Sequence, residues 1–244
     1  MDVTAIAASG MQQDLRRIDS ISQNMANVLT PGYKRQVLMS KDFSQQVQQG
    51  LAAVTALPAA GIAPGSATQL SIDASAGTLR YTGNPQDLAI DGMAFFEIAT
   101  PEGPAYTRQG SLHTDARGRL VTAAGAAVMG AGGDIVVKGP FAVDANGDVR
   151  QGERVLTRLK LVSFANPEAL LPLGGGAYAQ GGARVAELDV APSVRSGYQE
   201  NSNVNTSQEM VRLSDTMRHF EALQRVIQGY DDSLEKTIRK LGEF

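Results

Sequence analysis

Apolar residues recur at helical spacing at both ends of this chain and at strand spacing in its middle. Between residues 3 and 29, Met11, Leu15, Ile18, Ile21, Met25 and Val28 lie three or four apart, on one stripe of a helix. Gln12, Gln13, Arg16, Arg17, Asp19 and Gln23 make the opposite face polar. Thr30-Pro31-Gly32 ends the pattern, because Pro31 disfavours helix at the residue before it and Gly32 permits an abrupt turn. Near the other end, steps of three and four run through Met210, Leu213, Met217, Phe220, Gln224, Ile227, Asp231, Leu234, Ile238 and Leu241. That is a heptad seam with two polar positions. Thr206-Ser207-Gln208-Glu209 stands before it as a capping box. Glu221/Arg225, Asp232/Lys236 and Glu235/Arg239 are acid-first pairs on the wet face. A helix of about 35 residues would be roughly 50 Å long.

The middle is different material. Residues 50–70 are rich in Ala, Gly and Pro and read as a linker or long loop. From about 71 to 190, short β runs alternate with Gly, Asn and Asp turns. Leu88–Asp91, Phe95–Ala99, Ile135–Val137 and Val155–Phe164 are the predicted strands, with a two-residue hairpin turn at Asn146-Gly147. Gly174-Gly175-Gly176 and Gly181-Gly182 mark further turns. The predicted fold is α+β: two long terminal helices packed as a coiled-coil-like pair, with an inserted, mainly antiparallel β domain. Its expected parts are an N-terminal helix (1–30), a linker and hairpin region (31–83), a β-rich domain (84–190), a return linker (191–205) and a C-terminal helix (206–244). One antiparallel helix pair covers only part of two such stripes. The remainder should bury against a partner, most simply other copies of the chain.

Composition narrows the function. Among 244 residues there is no cysteine, which removes disulfides, zinc–thiolate sites and thiol catalysis. The net charge of −3 and the pI near 5.5 offer no basic face for nucleic acid. The N-terminus lacks the positive region of a signal peptide, and Gln12, Gln13 and Asp14 break its apolar stretch. No run approaches the ~18 apolar residues of a membrane span. The chain is therefore expected either to stay in the cytoplasm or to leave without a Sec signal. Trp is absent and aromatics are 5%, so platforms for sugars or bases are scarce.

Candidate chemistry is thin. His113 and His219 are the two histidines, and no H-E-x-x-H motif accompanies them. Asp144-Ala145-Asn146-Gly147-Asp148 faintly resembles a calcium loop, but Val149 and Val155 stand where that loop needs Gly and Glu. Asp87, Asp91, Glu97 and Glu102 could be imagined as a glycosidase pair, although nothing in the sequence sets two of them across a cleft. The glycine clusters lack the G-K-[ST] of a phosphate loop. No catalytic, cofactor or metal site is assigned, and an enzyme is not expected. Met11, Met25, Met210 and Met217 read as adaptable seam packing.

Three stretches carry a family resemblance. The first is Ser20 to Arg35, with Asn24, Asn27, Thr30, Pro31 and Gly32 in an N-x-A-N-x-x-T-P-G-aromatic-K pattern. The second is Asp87 to Phe96, with Asp91, Gly92, Phe95 and Phe96, continuing through Tyr106–Ser111 and Gly118–Thr122 to Val128–Gly130. The third is Glu200 to Asn205, with Ser202, Asn203 and Val204, followed by Glu209-Met210-Val211. In this order they resemble the axial proteins of the bacterial flagellum: rod, hook and hook-junction subunits. The resemblance implies a structural rod subunit in a helical tube that transmits torque and encloses an export channel. It implies type III export and a place in the periplasmic basal body. Implied partners are other copies, neighbouring rod subunits and the export apparatus, with no nucleic acid, small-molecule substrate or cofactor. Met217-Arg218-His219-Phe220-Glu221 departs from the Q-R-A-Y-E-like run of distal rod and hook subunits, which favours the proximal rod type over the distal. A monomeric wall-binding β module is the competing reading. The interface is expected on Met11, Leu15, Ile18, Ile21, Met25 and Val28, and on Met210, Leu213, Met217, Phe220, Ile227, Leu234, Ile238 and Leu241. Asn24 and Asn27 are expected to cap the first helix, to join it to the linker, or both.

Overall fold

The computed structural model describes residues 3–40, 68–186 and 192–241, and it has the α+β architecture that the hydrophobic pattern predicts. Helix α1 is Val3–Ala26 and helix α2 is Thr206–Leu241. Everything between them is strand, turn or a single short 3-10 helix among the described residues. Contacts gather the chain into two units. One is helical and comprises Met1–Gln23, Leu38–Leu70 and Thr206–Phe244; the other is β-rich and comprises Asn24–Val37 and Ser71–Asn205. Most of the predicted 50–70 linker lies outside the described residues. Its last residues belong to the strand Thr68–Ile72, which pairs with Gln36–Ser40.

In the helical unit, α1 and α2 run antiparallel. A Cβ on Gly10 would stand 2.9 Å from the Leu223 side chain, and His219 Nδ1 lies 2.6 Å from Asp14 Oδ2. These two contacts set a register that brings the start of α1 opposite Tyr230. The last turns of α2, from Asp231 on, therefore have no described α1 residue across from them. Glu221–Arg225 and Glu235–Arg239 close along α2 at 3.9 and 2.6 Å.

In the β unit, the strand Ala94–Thr100 is the centre of the largest sheet. One edge bonds Gly103–Thr107; the other is shared between Ala127–Gly130 and Leu161–Phe164, all antiparallel. Side chains alternate across a strand, so neighbouring phenylalanines face opposite ways. Phe96 enters a core with Leu88, Ile90, Leu120, Val128 and Val149. Phe95 enters a second with Tyr106, Val162, Phe164, Leu170 and Tyr178. The central strand is buried on both faces from Ala94 to Ile98, and Glu97 is the one charged residue within that stretch.

Four local expectations need correction. α1 ends at Ala26 rather than near residue 29. Asn24 O takes the N–H of Asn27 and Met25 O that of Val28, so the chain tightens into i to i+3 turns before Pro31 can act. Val155–Phe164 is two strands, Arg154–Arg158 and Leu161–Phe164. Between them the Leu159 and Lys160 N–H groups leave for Gly147 O and Met129 O. Ile135–Val137 is not a strand: Val136 makes an isolated bridge to Arg119, while Ile135 and Val137 are buried on either side of it. The Asn146-Gly147 hairpin forms, but Asp144 and Asp148 close it as a three-residue loop, with only Gly147 at positive φ. Asp144 dictates that length, because its Oδ1 accepts the N–H groups of both Asn146 and Asp148.

Candidate functional site

The three resembling stretches meet at one buried polar junction in the β unit. It starts at the end of α1. The Asn24 side chain behaves like a peptide group in a ladder: Nδ2 donates to Gln36 O (2.9 Å) and Oδ1 accepts from Gln36 N–H (2.7 Å). Oδ1 also accepts from the Tyr33 hydroxyl at 3.1 Å. An amide is the side chain that supplies both donor and acceptor at this spacing. Asn27 Oδ1 receives the Thr30 hydroxyl (3.1 Å), which steadies the turn carrying Pro31. Gly32 then approaches a neighbour too closely for any side chain. Its φ is +68°, and a Cβ would lie 2.4 Å from the Arg108 carbonyl carbon. Its N–H donates to Glu200 O at 2.7 Å.

Two cations and one carboxylate lie at the centre. Lys34 is 0% exposed, and its Nζ donates to Glu200 Oε1 and to Ser75 O, both at 2.6 Å. Arg108 Nη1 donates to Glu200 Oε2 (3.1 Å) and Nη2 to Gly92 O, and its guanidinium lies over the Phe95 ring at 5.1 Å. Glu200 Oε1 also accepts the Gly77 N–H at 2.8 Å. Burial pushes the Lys34 ammonium and the Arg108 guanidinium down from their ordinary pKa values, while Glu200 pulls both back up. The Tyr178 hydroxyl accepts the Lys34 N–H at 2.7 Å, and its pKa is raised, chiefly by burial.

Asn203 closes the junction from the far end of the β unit. Its Oδ1 accepts the Arg35 N–H (2.7 Å), and its Nδ2 reaches Asp73 O and Ser75 O. Asp73 is 3.6 Å from Arg35. Burial raises the Asp73 pKa, but the Ser75 hydrogen bonds, Arg35 and Lys34 outweigh that, and the net shift is downward. Ser202 Oγ accepts the Val204 N–H, and Val204 is buried. Asp91 and Phe96, also family residues, stand outside the junction: Asp91 pairs with Arg195 on the surface (3.0 Å), and Phe96 lies in the first core.

Lys34, Arg108, Glu200, Tyr178 and Gln36 were not singled out from sequence. The available signal was a Lys, an Arg and a Glu standing inside the resembling stretches, where a wet surface would not need them. Nothing in the junction is an exposed nucleophile or an open acid–base pair. The four carboxylates considered as a glycosidase pair are engaged elsewhere or isolated. Asp87 accepts the Thr82 and Ser111 hydroxyls, Asp91 meets Arg195, and Glu97 meets Lys160. Among the described residues, Glu102 is the single charged one lining an open hollow of about 710 Å³ among hairpin tips. His113 is exposed on a short strand, and His219 is held by Asp14. In the calcium-like turn, Asp144 Oδ2 pairs with Arg150 and Asp148 with Arg158.

The expected interface residues divide into three sets. Ile21 is buried, and Met11, Ile18, Met25, Val28, Leu213, Phe220 and Ile227 are half-buried within the chain. Leu15, Met210 and Met217 are 50, 54 and 51% exposed. The side chains of Leu234, Ile238 and Leu241 lie outside the described residues. The exposed three share a pattern. Each directly follows a buried polar residue: Asp14, Glu209 and Thr216. At three places the single chain buries the polar neighbour and exposes the apolar one, the reverse of ordinary burial.

Comparison with known proteins covers the same regions. Residues 5–34 match the family described as flagella basal body rod protein, 89–160 the flagellar hook protein FlgE/F/G D1 domain, and 195–240 the flagellar basal body rod FlgEFG protein C-terminal domain. The chain is 30% identical to the flagellar basal-body rod protein FlgG of Bacillus subtilis, over 94% of this chain and 95% of that one. It is 31% identical to the FlgG of Agrobacterium fabrum, over 95% and 96%. It is 30% identical to the rod protein FlgF of Mesorhizobium japonicum, over 99% and 98%.

Proposed function

The chain belongs to the flagellar basal-body rod family, whose members are structural subunits, and on that premise we propose that it polymerises through its two terminal helices into the helical tube of the rod. The exposed Leu15, Met210 and Met217 carry this reading. They lie on apolar stripes, and one chain leaves them in water. At ~25 cal/mol per Å2, burying each such side chain contributes roughly 1.5–3 kcal/mol before ordering costs. A contact between different surfaces of successive copies generates a helix when its rotation does not close into a ring. The role is mechanical: to transmit torque and to enclose the channel through which later subunits pass. The chain performs no catalysis. It is exported by the flagellar type III apparatus and works in the periplasmic part of the basal body.

Within the family the proximal, FlgF-type subunit is favoured over the distal, FlgG-type one. The Met217–Glu221 run supports this. Electron microscopy of purified basal bodies carrying a tagged subunit tests both levels. Label confined to the proximal rod is the expected result. Label at the distal rod overturns the subtype, and label absent from the rod overturns the function.

A further inference from the structure

We propose that Glu200 is a folding latch: its carboxylate is the group whose arrival allows the β unit to close, so the unit stays open until the chain is complete almost to α2. Lys34 and Arg108 are both buried, with side chains 1% and 2% exposed. Glu200 is the carboxylate that touches both. Asp73 acts on Lys34 only from the rim, with its oxygens turned to Ser75 and Arg35. Until Glu200 is present, closing the core would strip water from two cations that have carbonyl partners but no carboxylate to balance their charge. They therefore keep their water, and the segments around them stay apart.

The latch acts over a long sequence distance. Glu200 follows Lys34 by 166 residues and Arg108 by 92. It belongs to the strand Tyr198–Glu200, which pairs with Leu79–Tyr81 and stands just before α2. The same residue takes the Gly32 N–H through its backbone oxygen. Early and late segments thus lock together in one step. A chain that appears from its N-terminus cannot lock prematurely. This holds whether or not the assembly reading stands, because it concerns the single chain.

Stopped-flow refolding of the full chain, followed by far-UV circular dichroism, tests it. Brief unfolding pulses keep the X-Pro bonds in their native isomers. In Glu200→Gln, refolding is expected to slow by on the order of tenfold or more, with the unfolding rate changed much less. An unchanged refolding rate, with the whole loss in faster unfolding, overturns the proposal, because the carboxylate would then only stabilise the finished fold. If Glu200→Gln does not fold, Lys34→Met is compared with Lys34→Met/Glu200→Gln, in which one cation is gone. The double variant should refold at least several-fold more slowly than Lys34→Met, since Arg108 alone is left unpaired. Equal refolding rates for that pair also overturn the latch.

Discussion

The helical unit and the β unit solve the same problem with opposite success. The β unit buries Leu88, Phe96, Leu120, Val128 and Val149 completely, and its buried charges meet in a joint bonded on several sides. The helical unit buries Asp14, Glu209 and Thr216 while Leu15, Met210 and Met217 face water. The first is finished within one chain; the second has an apolar surface left over. A subunit that must be stable alone and also polymerise can divide the two tasks in this way.

Variants that open the junction should break the β side of this comparison most severely. Glu200→Ala leaves two buried cations without their counter-charge and should cost about 3–5 kcal/mol. Urea unfolding followed by circular dichroism would show the loss as a lower midpoint. Asn24→Ala should come next. It removes the hydrogen bonds that Asn24 makes to the N–H and C=O of Gln36, at roughly 1–3 kcal/mol. Asn24→Asp keeps the acceptor but not the donor, so it should not restore stability in the same assay.

A smaller effect should appear on acidification. Asp73 has a folded pKa below its ordinary value. Its contribution is therefore fully present above the unfolded pKa and is lost as pH falls through the folded one, below about pH 4. Thermal melts between pH 5 and pH 3 should show that loss, and Asp73→Asn should flatten it. The smallest change in stability should come from the helices. Leu15→Asp with Met217→Asp touches exposed side chains and should change the unfolding free energy by no more than about 0.5 kcal/mol. A large drop would mean that these residues already pack within the single chain, which would erase the contrast between the units.

Much of this was legible in the sequence, to different depths. Both helices and the strands at Leu88 and Phe95 were visible, because their apolar spacing is local. The end of α1, the break at Leu159 and the length of the Asn146-Gly147 loop were not. Each is set by a side chain or backbone group that finds a partner outside its own pattern. The junction was half legible. Its three segments were recognisable one at a time, but Lys34 and Glu200, or Arg35 and Asn203, are 166 and 168 residues apart. No local periodicity reports that they touch. The seam shows the opposite limit. A strict seven-residue repeat drifts by ~20° per heptad around a straight helix. The covered face of α2 follows Glu209, Leu213, Thr216, Phe220, Leu223 and Ile227 instead, and Met210 and Met217 lie at its flank.

The most direct test of the division of labour is rod assembly by the Leu15→Asp/Met217→Asp variant in cells that lack the native copy, read by electron microscopy of basal bodies. The purified variant is expected to keep a native β unit, while the rod stops at the position this subunit should fill and the cells do not swim. Complete rods and normal swimming would contradict the account, because the exposed helix residues would then be no part of the contact between subunits.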